Sequence, residues 1–401
     1  MKKVFIVAAK RTAVGKFGGS LTQMSAPDIA TVVLKNILEE TKIDPSKIDE
    51  VIVGNVLSAG QRQGVARQAS VNAGIPVEVP AYSLNMVCGS GMKAISNAFT
   101  AIRAGESELI LAGGTECMSG APFLIPGQVR TGYKMGNMVN QDHMILDGLW
   151  EAFNDYHMGV TAENIAEKYN LTRIEQDKFA ASSQFKATKA QDEGKFVKEI
   201  VPVEIKTRKE TIVFDADEHI NRTTNEEKLA KLRPAFTKDG TVTAGNASGI
   251  NDGASFVMIA SEDAVKEFGL TPLVEIVAVG QGGVDPSIMG MGPVPAIKNV
   301  LCKASMKLQD IEVLELNEAF AAQSLGVMKQ LSEDHGVDSK FFEERCNKNG
   351  GAIALGHPIG ASGNRIVVTL IHEMKRENNV YGLASLCIGG GMGTAVILKN
   401  V

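Results

Sequence analysis

The sequence predicts an α/β fold made of two copies of one α/β unit, separated by a long inserted segment. Three observations carry this prediction. Apolar runs of strand length alternate with segments of helical periodicity. The order, lengths and terminating glycines of those segments near the start of the chain recur near its end. Between the two copies, residues 119–249 lose the alternation. A chain of 401 residues is long enough for about two or three domains with sizeable cores.

The first copy opens with the strand "VFIVAA", which leads through a glycine-containing loop to the helix "APDIATVVLKNILEET". A strand "IDEVIVGN" ends at Asn55, "PAYSLNMV" reads as another strand, and "MKAISNAFTAIRAG" is a helix stopped by Gly105. The strand "ELILAGG" closes the unit. In the second copy "LVEIVAVG" leads to the helix "VPAIKNVLCKASM" and to the strand "DIEVLELN", ending at Asn317. "GHPIGASG", the helix "NRIVVTLIHEMKREN" and the strand "GLASLCIGGG" follow. The insert contains a Met-rich stretch with little strand signal, "KMGNMVNQDHMILDGLWEAFNDYHMG", then a helix from a capping box at Thr172 and Glu175 towards Gly194. Inserts of this kind cover a site rather than form a core. The expected division is 1–118 plus about 250–270 for the first core half, 119–249 for the inserted loop domain, and 271–401 for the second core half.

Composition narrows the function. Apolar residues at 44% and charged residues at 22% are ordinary for a globular protein. A net charge of −5 with no basic stripe argues against nucleic acid as a partner. The five cysteines, Cys88, Cys117, Cys302, Cys346 and Cys387, are scattered without CxxC pairing, which speaks against a disulfide framework or a metal site. The start "MKKVFIVAAKRT" is too short in apolar residues for a secretory segment, no run approaches the ~20 residues of a membrane span, and "AVILKNV" is no peroxisomal address. These features predict a cytoplasmic protein without a membrane partner.

Four reactive or polar side chains fall at predicted strand ends, where α/β folds gather ligands. "NMVCGSGMKA" places Cys88 between a strand and a helix start, where free N–H groups favour a thiolate. "ELNEAFAA" places Asn317 and Glu318 at another strand end, "GGAIALGHPIGASG" holds His357 in a crowded turn, and "ASLCIGGGMG" puts Cys387 before three glycines. Position alone leaves plainer roles open: packed thiols for the cysteines, a helix cap for Asn317, a satisfied turn residue for His357. "GGGMG" lies too near the C-terminus for a dinucleotide fingerprint.

"NMVCGSGMKA", "NEAFA", "GGAIALGHPIGASG" and "CIGGGMG", in that order, resemble the four signature blocks of the thiolases, nearest to the biosynthetic type. The likeness runs from "KRTAVGKFGG" through "AGNASGINDGA" to the C-terminus. It implies a duplicated, five-layered αβαβα core with an inserted loop domain. It also implies a transferase, an acyltransferase that joins two acetyl-CoA into acetoacetyl-CoA and CoA by a reversible Claisen condensation. By resemblance Cys88 is the acylated nucleophile, His357 its base, and Cys387 the acid–base for the α-proton. Asn317 would hold an oxyanion water, and the N–H groups of Cys88 and Gly389 would form a second oxyanion hole. His157, Met158, Phe236, Ala247, Ser248, Met289 and Phe320 would line the CoA path. Where the family carries an arginine near the nucleotide this chain has Asn221, so either Arg222 substitutes after a small shift or the basic contact is absent; Met291 stands where threonine is more frequent. The resemblance further implies no cofactor, CoA thioesters being substrates, and a homotetramer built as a dimer of dimers. The weighed alternatives are a degradative 3-ketoacyl-CoA thiolase, a ketoacyl synthase (against which Cys387 argues) and a non-catalytic carrier of the same fold.

Overall fold

The computed structural model describes residues 2–206 and 208–401. The first copy contains β1 (Val4–Thr12), α1 (Ala26–Thr41), β2 (Glu50–Gly54), α2 (Val65–Asn72), β3 (Ala81–Leu84), α3 (Ser90–Ala104) and β4 (Leu109–Cys117). The insert holds α4 (Met158–Lys168) and α5 (Arg173–Asp192), after which β5 (Asn251–Ser261) returns to the first copy's strands. The second copy runs β6 (Val274–Gly283), α6 (Pro293–Ala304), β7 (Val313–Leu316), α7 (Ala321–His335), α8 (Ile359–Glu377), β8 (Tyr381–Ile388) and β9 (Met392–Asn400).

The strand order shows the duplication. The first half reads β1-β5-β4-β2-β3 and the second β6-β9-β8-β7. In each, two antiparallel pairings are followed by a parallel one. Along this order β3 is the strand without a counterpart in the second half. The halves join edge to edge where Phe5 pairs Glu275 and Ile6 pairs Val274 across β1 and β6, so the sheet is continuous.

Local sequence accounts for the helices. Ser25 and Asp28 form a capping box on α1, with Pro27 in its first turn, and Lys42 ends it in the left-handed region. Thr172 and Glu175 cap α5 as the sequence predicts. The strand expected over "PAYSLNMV" is shorter, because Asn85 to Gly89 fold into a tight turn instead: Gly89 N–H donates to Met86 O and Ser90 N–H to Val87 O.

Five layers result. α1 and α2 cover one face of the first half-sheet, and α6 covers the outer face of the second with α7 beyond it. α3 and α8 lie together in the middle, α8 touching strands of both halves. α8 is buried around its circumference from Ile359 to Ile371, as a central helix must be. Close approach there demands glycine: a Cβ on Gly114 would lie 2.0 Å from the Gly360 carbonyl oxygen, and one on Gly91 would lie 2.8 Å from the Asn364 nitrogen. This contact sets the start of α8, and with it His357, beside the turn that carries Cys88.

Candidate active site

Cys88 sits two residues before α3, on a turn whose preceding residue, Val87, has φ +46°. A β-branched residue in that region is strained, and such strain persists where surrounding bonds impose it. Here Val87 N–H donates to Asn85 Oδ1 at 2.9 Å, Ser90 Oγ accepts from Met86 N–H at 2.8 Å, and the Ser90 hydroxyl donates to Val87 O at 2.7 Å. The turn thereby holds the thiol at a fixed angle to the sheet.

His357 lies between the short helix Ala352–Leu355 and α8. Its backbone N–H donates to Asn251 Oδ1 at 2.9 Å. Nδ1 meets Ser362 Oγ at 2.5 Å, and the Ser362 hydroxyl donates to Pro358 O at 2.9 Å. Ser362 has one proton and gives it to the carbonyl, so its oxygen accepts from Nδ1–H. That fixes the neutral tautomer and leaves Nε2 as an acceptor, buried and without a protein partner.

Both residues face one cavity of about 550 Å³, whose wall also includes Gly389, His157, Met158, Phe236, Ala247, Ser248, Met289 and Phe320. Ten of the thirteen residues singled out from sequence therefore meet here. The insert supplies one wall and the second copy the other. They are tied together where Ala247 bridges Phe320 and Ser248 N–H donates to Ala319 O at 2.9 Å. His157 caps α4, its Nδ1 accepting from Gly159 N–H at 3.0 Å, and its ring stacks on Phe236 at 4.7 Å. Phe236 in turn meets Phe320 edge-on at 6.0 Å.

Three predicted residues stand elsewhere. Cys387 is fully buried behind the wall, packed with Met158, Met289 and Phe320. Asn317 follows β7, also buried, with both side-chain polar atoms unpartnered and its N–H donating to Ser385 O. Arg222 is not at the cavity: it donates to Asp192 at 2.8 Å and to Gln191 at 2.7 Å on α5, which draws it away. A second cavity of about 330 Å³ shares His219 and Ala244 with the first, and its basic residue is Lys228.

The electrostatics correct one expectation. A helix start should lower a thiol's pKa, yet Cys88 is pushed up to about 11. Burial among apolar side chains outweighs the lowering by the Gly389 and Cys88 N–H groups. Burial and the neighbouring Cys88 both raise Cys387. Burial, helped by Arg365, lowers His357 to about 4. At neutral pH the resting pair is thus thiol and imidazole, uncharged.

Several residues, or the parts they play, escaped sequence reading. Glu116, at the end of β4, accepts from the N–H groups of Val56, Leu57 and Gly360 and from Asn55 Nδ2, pinning the Asn55 loop to the start of α8. Burial raises it to about 7. Glu318, read alongside Asn317, is buried and accepts from Ser183, Asn347 and the Ile353 N–H, an anchor for neighbouring segments. Met118, Leu149 and His219 also line the cavity. Among the described residues no group of three or more His, Cys, Asp or Glu could hold a metal ion.

Comparison with known proteins places this geometry. Residues 4–263 match the thiolase N-terminal domain and residues 270–400 the thiolase C-terminal domain. Acetyl-CoA acetyltransferases of Pseudomonas aeruginosa and Cupriavidus necator are 54% and 52% identical over 401 residues, the whole of both chains. Among solved structures, the Bacillus anthracis acetyl-CoA acetyltransferase matches with a TM-score of 0.95 at 43% identity, covering 100% of this chain and 99% of that one. Human mitochondrial 3-ketoacyl-CoA thiolase in complex with CoA matches at 0.93 and 45%, covering 100% and 98%. With both family domains matched end to end on a duplicated five-layered core, the chain belongs to the thiolase family.

Proposed function

We propose that the protein catalyses the reversible Claisen condensation of two acetyl-CoA to acetoacetyl-CoA and CoA through an acyl group on Cys88. The observation that carries this is the unprotonated, unpartnered Nε2 of His357 facing the same cavity as the Cys88 thiol. In acylation Nε2 takes the Cys88 proton, the sulfur attacks the thioester carbon, and the CoA sulfur leaves with the Cys387 proton. Cys387 is then a thiolate. Its raised affinity for protons suits it to take the α-proton of the second acetyl-CoA. The resulting carbanion attacks the acyl carbon, and Cys88 departs to recover its proton from His357. Protons balance over the cycle and no electrons change hands, so the reaction calls for no redox cofactor.

Developing oxyanions need fixed donors. The Gly389 and Cys88 N–H groups already face the Cys88 sulfur, and serve the acyl-enzyme. Asn317, with two unpartnered polar atoms, serves the second thioester through a water. Pantetheine lies along His157, Met158, Phe236, Ala247 and Ser248, with Met289 and Phe320 near the acyl end. The nucleotide enters the adjoining cavity, where Lys228 takes the part first assigned to Arg222.

The same reading extends to assembly and location. β3 pairs on one side only, leaving an open sheet edge. Elsewhere the inserted segment exposes Phe123, Met135, Val139 and Phe153, each more than two-thirds exposed. The open edge and these exposed apolar side chains suit a homotetramer arranged as a dimer of dimers. No helix among the described residues is long and apolar enough to cross a membrane, in keeping with a cytoplasmic enzyme. The test is conversion of acetyl-CoA to acetoacetyl-CoA and CoA by purified protein. Cys387→Ala should slow acylation, which loses the acid for the leaving CoA sulfur, and abolish condensation, whereas condensation at the wild-type rate by that variant would overturn the assignment.

A further inference from the structure

β7 is the edge strand of the second half-sheet, and Asn317 follows it directly. On the paired side, Ser385 of β8 accepts the Asn317 N–H. On the open side runs the segment after the short helix Ser339–Arg345, where Cys346 bridges Leu314 and Asn347 N–H donates to Leu314 O at 2.9 Å. From there the Asn347 side chain completes the pairing that a further strand would supply. Its Oδ1 accepts from Leu316 N–H at 2.9 Å, and its Nδ2 donates to Leu316 O and to Glu318 Oε1, both at 2.8 Å.

These bonds use both protons of the amide and fix which end is which: a backbone N–H needs the oxygen, while a carbonyl and a carboxylate need the nitrogen. Asn347 is buried and held at φ +47°, a left-handed conformation that asparagine tolerates better than most side chains. Glu318 is anchored in turn, accepting from the Ser183 hydroxyl at 2.6 Å and from the Ile353 N–H at 3.2 Å. Asn317 stands between the two gripped residues. Its side chain is buried with neither polar atom partnered, so the backbone, not a side-chain bond, sets where the amide stands. Just beyond it, Ala319 and Phe320 line the cavity.

We infer that Asn347 is a positioning residue for Asn317, which it fixes in place by gripping Leu316 and Glu318 on either side. The inference rests on Asn317 serving the oxyanion of the second thioester. Losing the grip then affects one kind of step. Acetoacetyl-CoA and acetyl-CoA both leave an acetyl group on Cys88, with the Cys88 proton passing to His357. From acetoacetyl-CoA a C–C bond breaks, and acetyl-CoA departs through its enolate, which takes the Cys387 proton at carbon. From acetyl-CoA a C–S bond breaks, the CoA sulfur takes that proton, and no enolate forms. A displaced donor for the enolate oxygen slows the first step alone.

The test is the single-turnover rate of acetyl-Cys88 formation from each substrate, read by peptide mass. It compares wild type with Asn347→Ala, Asn347→Asp, Glu318→Gln and Asn317→Ala. Asn347→Asp keeps the acceptor for Leu316 N–H and loses both donations. Each Asn347 variant should slow the acetoacetyl-CoA step about tenfold or more, and the acetyl-CoA step by less than about threefold. Glu318→Gln keeps the shape, weakens one bond and should show the same split at severalfold. Equal losses on both substrates in the variants that fold, or changes within about twofold on either, would overturn the inference. Asn317→Ala separates the two levels. If it shows the split and the Asn347 variants do not, the positioning role fails alone; if it shows no split, the reading of Asn317 fails and the inference with it.

Discussion

His357 donates its Nδ1 proton to Ser362 Oγ across 2.5 Å, because the one Ser362 hydroxyl proton is already given to the Pro358 carbonyl. A serine one turn into α8 thus decides which nitrogen of the base faces Cys88. Ser362→Ala should lower kcat by about tenfold to a hundredfold, with a much smaller change in KM, since the ring can then adopt the other tautomer. Ser362→Thr keeps the hydroxyl and should recover most of the rate. Equal losses in both variants would mean that the position serves packing alone.

The uncharged resting pair has a pH signature. Cys88 at about 11 and His357 at about 4 bracket neutrality widely. Because the folded pKa of His357 is depressed, its imidazole stays neutral, and available as base, until the pH falls towards about 4. Alkylation of the free enzyme by iodoacetamide follows the thiolate. Its rate should climb through about pH 9 with no plateau near neutrality. A sigmoid centred between about pH 6 and 7 would indicate a resting thiolate–imidazolium pair instead.

Glu116 organises the site at a distance. Its carboxylate accepts from three backbone N–H groups and Asn55, so Glu116→Gln turns an amide donor towards donors and should cost about 1–3 kcal/mol of stability. The folded pKa of about 7 lies above the ordinary 4.5. Its contribution is therefore fully present below about pH 4.5 and is lost as the pH rises through about 7. Thermal melts across this range should show a lower Tm for the variant and a shallower dependence on pH.

Gly159 leaves no room for a side chain, a Cβ there falling 2.2 Å from the Phe236 ring that stacks on His157. Gly159→Ala should displace Phe236, cost about 1–3 kcal/mol through overpacking, and raise KM for acetyl-CoA more than it lowers kcat. Steady-state kinetics and a melt together check both parts.

At the nucleotide end, Lys228→Ala should raise KM for acetyl-CoA severalfold with an effect that fades at high salt, as a screened charge contact does. Arg222→Ala, breaking only exposed contacts with Asp192 and Gln191, should change KM less than twofold. The reverse ranking would restore Arg222 to the CoA path.

What the sequence disclosed and what it hid follow from the range of each interaction. α1 and α5 were legible because Ser25, Asp28, Thr172 and Glu175 cap them through contacts three residues apart. The paired strand orders were legible because both copies keep the same succession of apolar runs. Cys88, His357 and Gly389 stood out because their glycine-rich turns are local. Glu116 was not legible, since its partners lie 59 to 244 residues away and only the folded sheet assembles them. Burial reversed the expected direction for the Cys88 thiol, and burial is a property of the packed site rather than of the turn. The π-helical turn Met144–Leu149 has neither strand nor α-helical periodicity, so the Met-rich stretch read as featureless. The contact of Arg222 with Asp192 was not legible either, because it depends on where α5 passes.

The central claim is that Cys88 carries the acyl group, and the most direct measurement is the mass of intact protein after brief incubation with acetyl-CoA. The account predicts one acetyl increment on wild type that maps to Cys88, disappears on adding CoA, and never forms on Cys88→Ser. An acetyl group on another residue, or none where CoA is shown to bind, would contradict it.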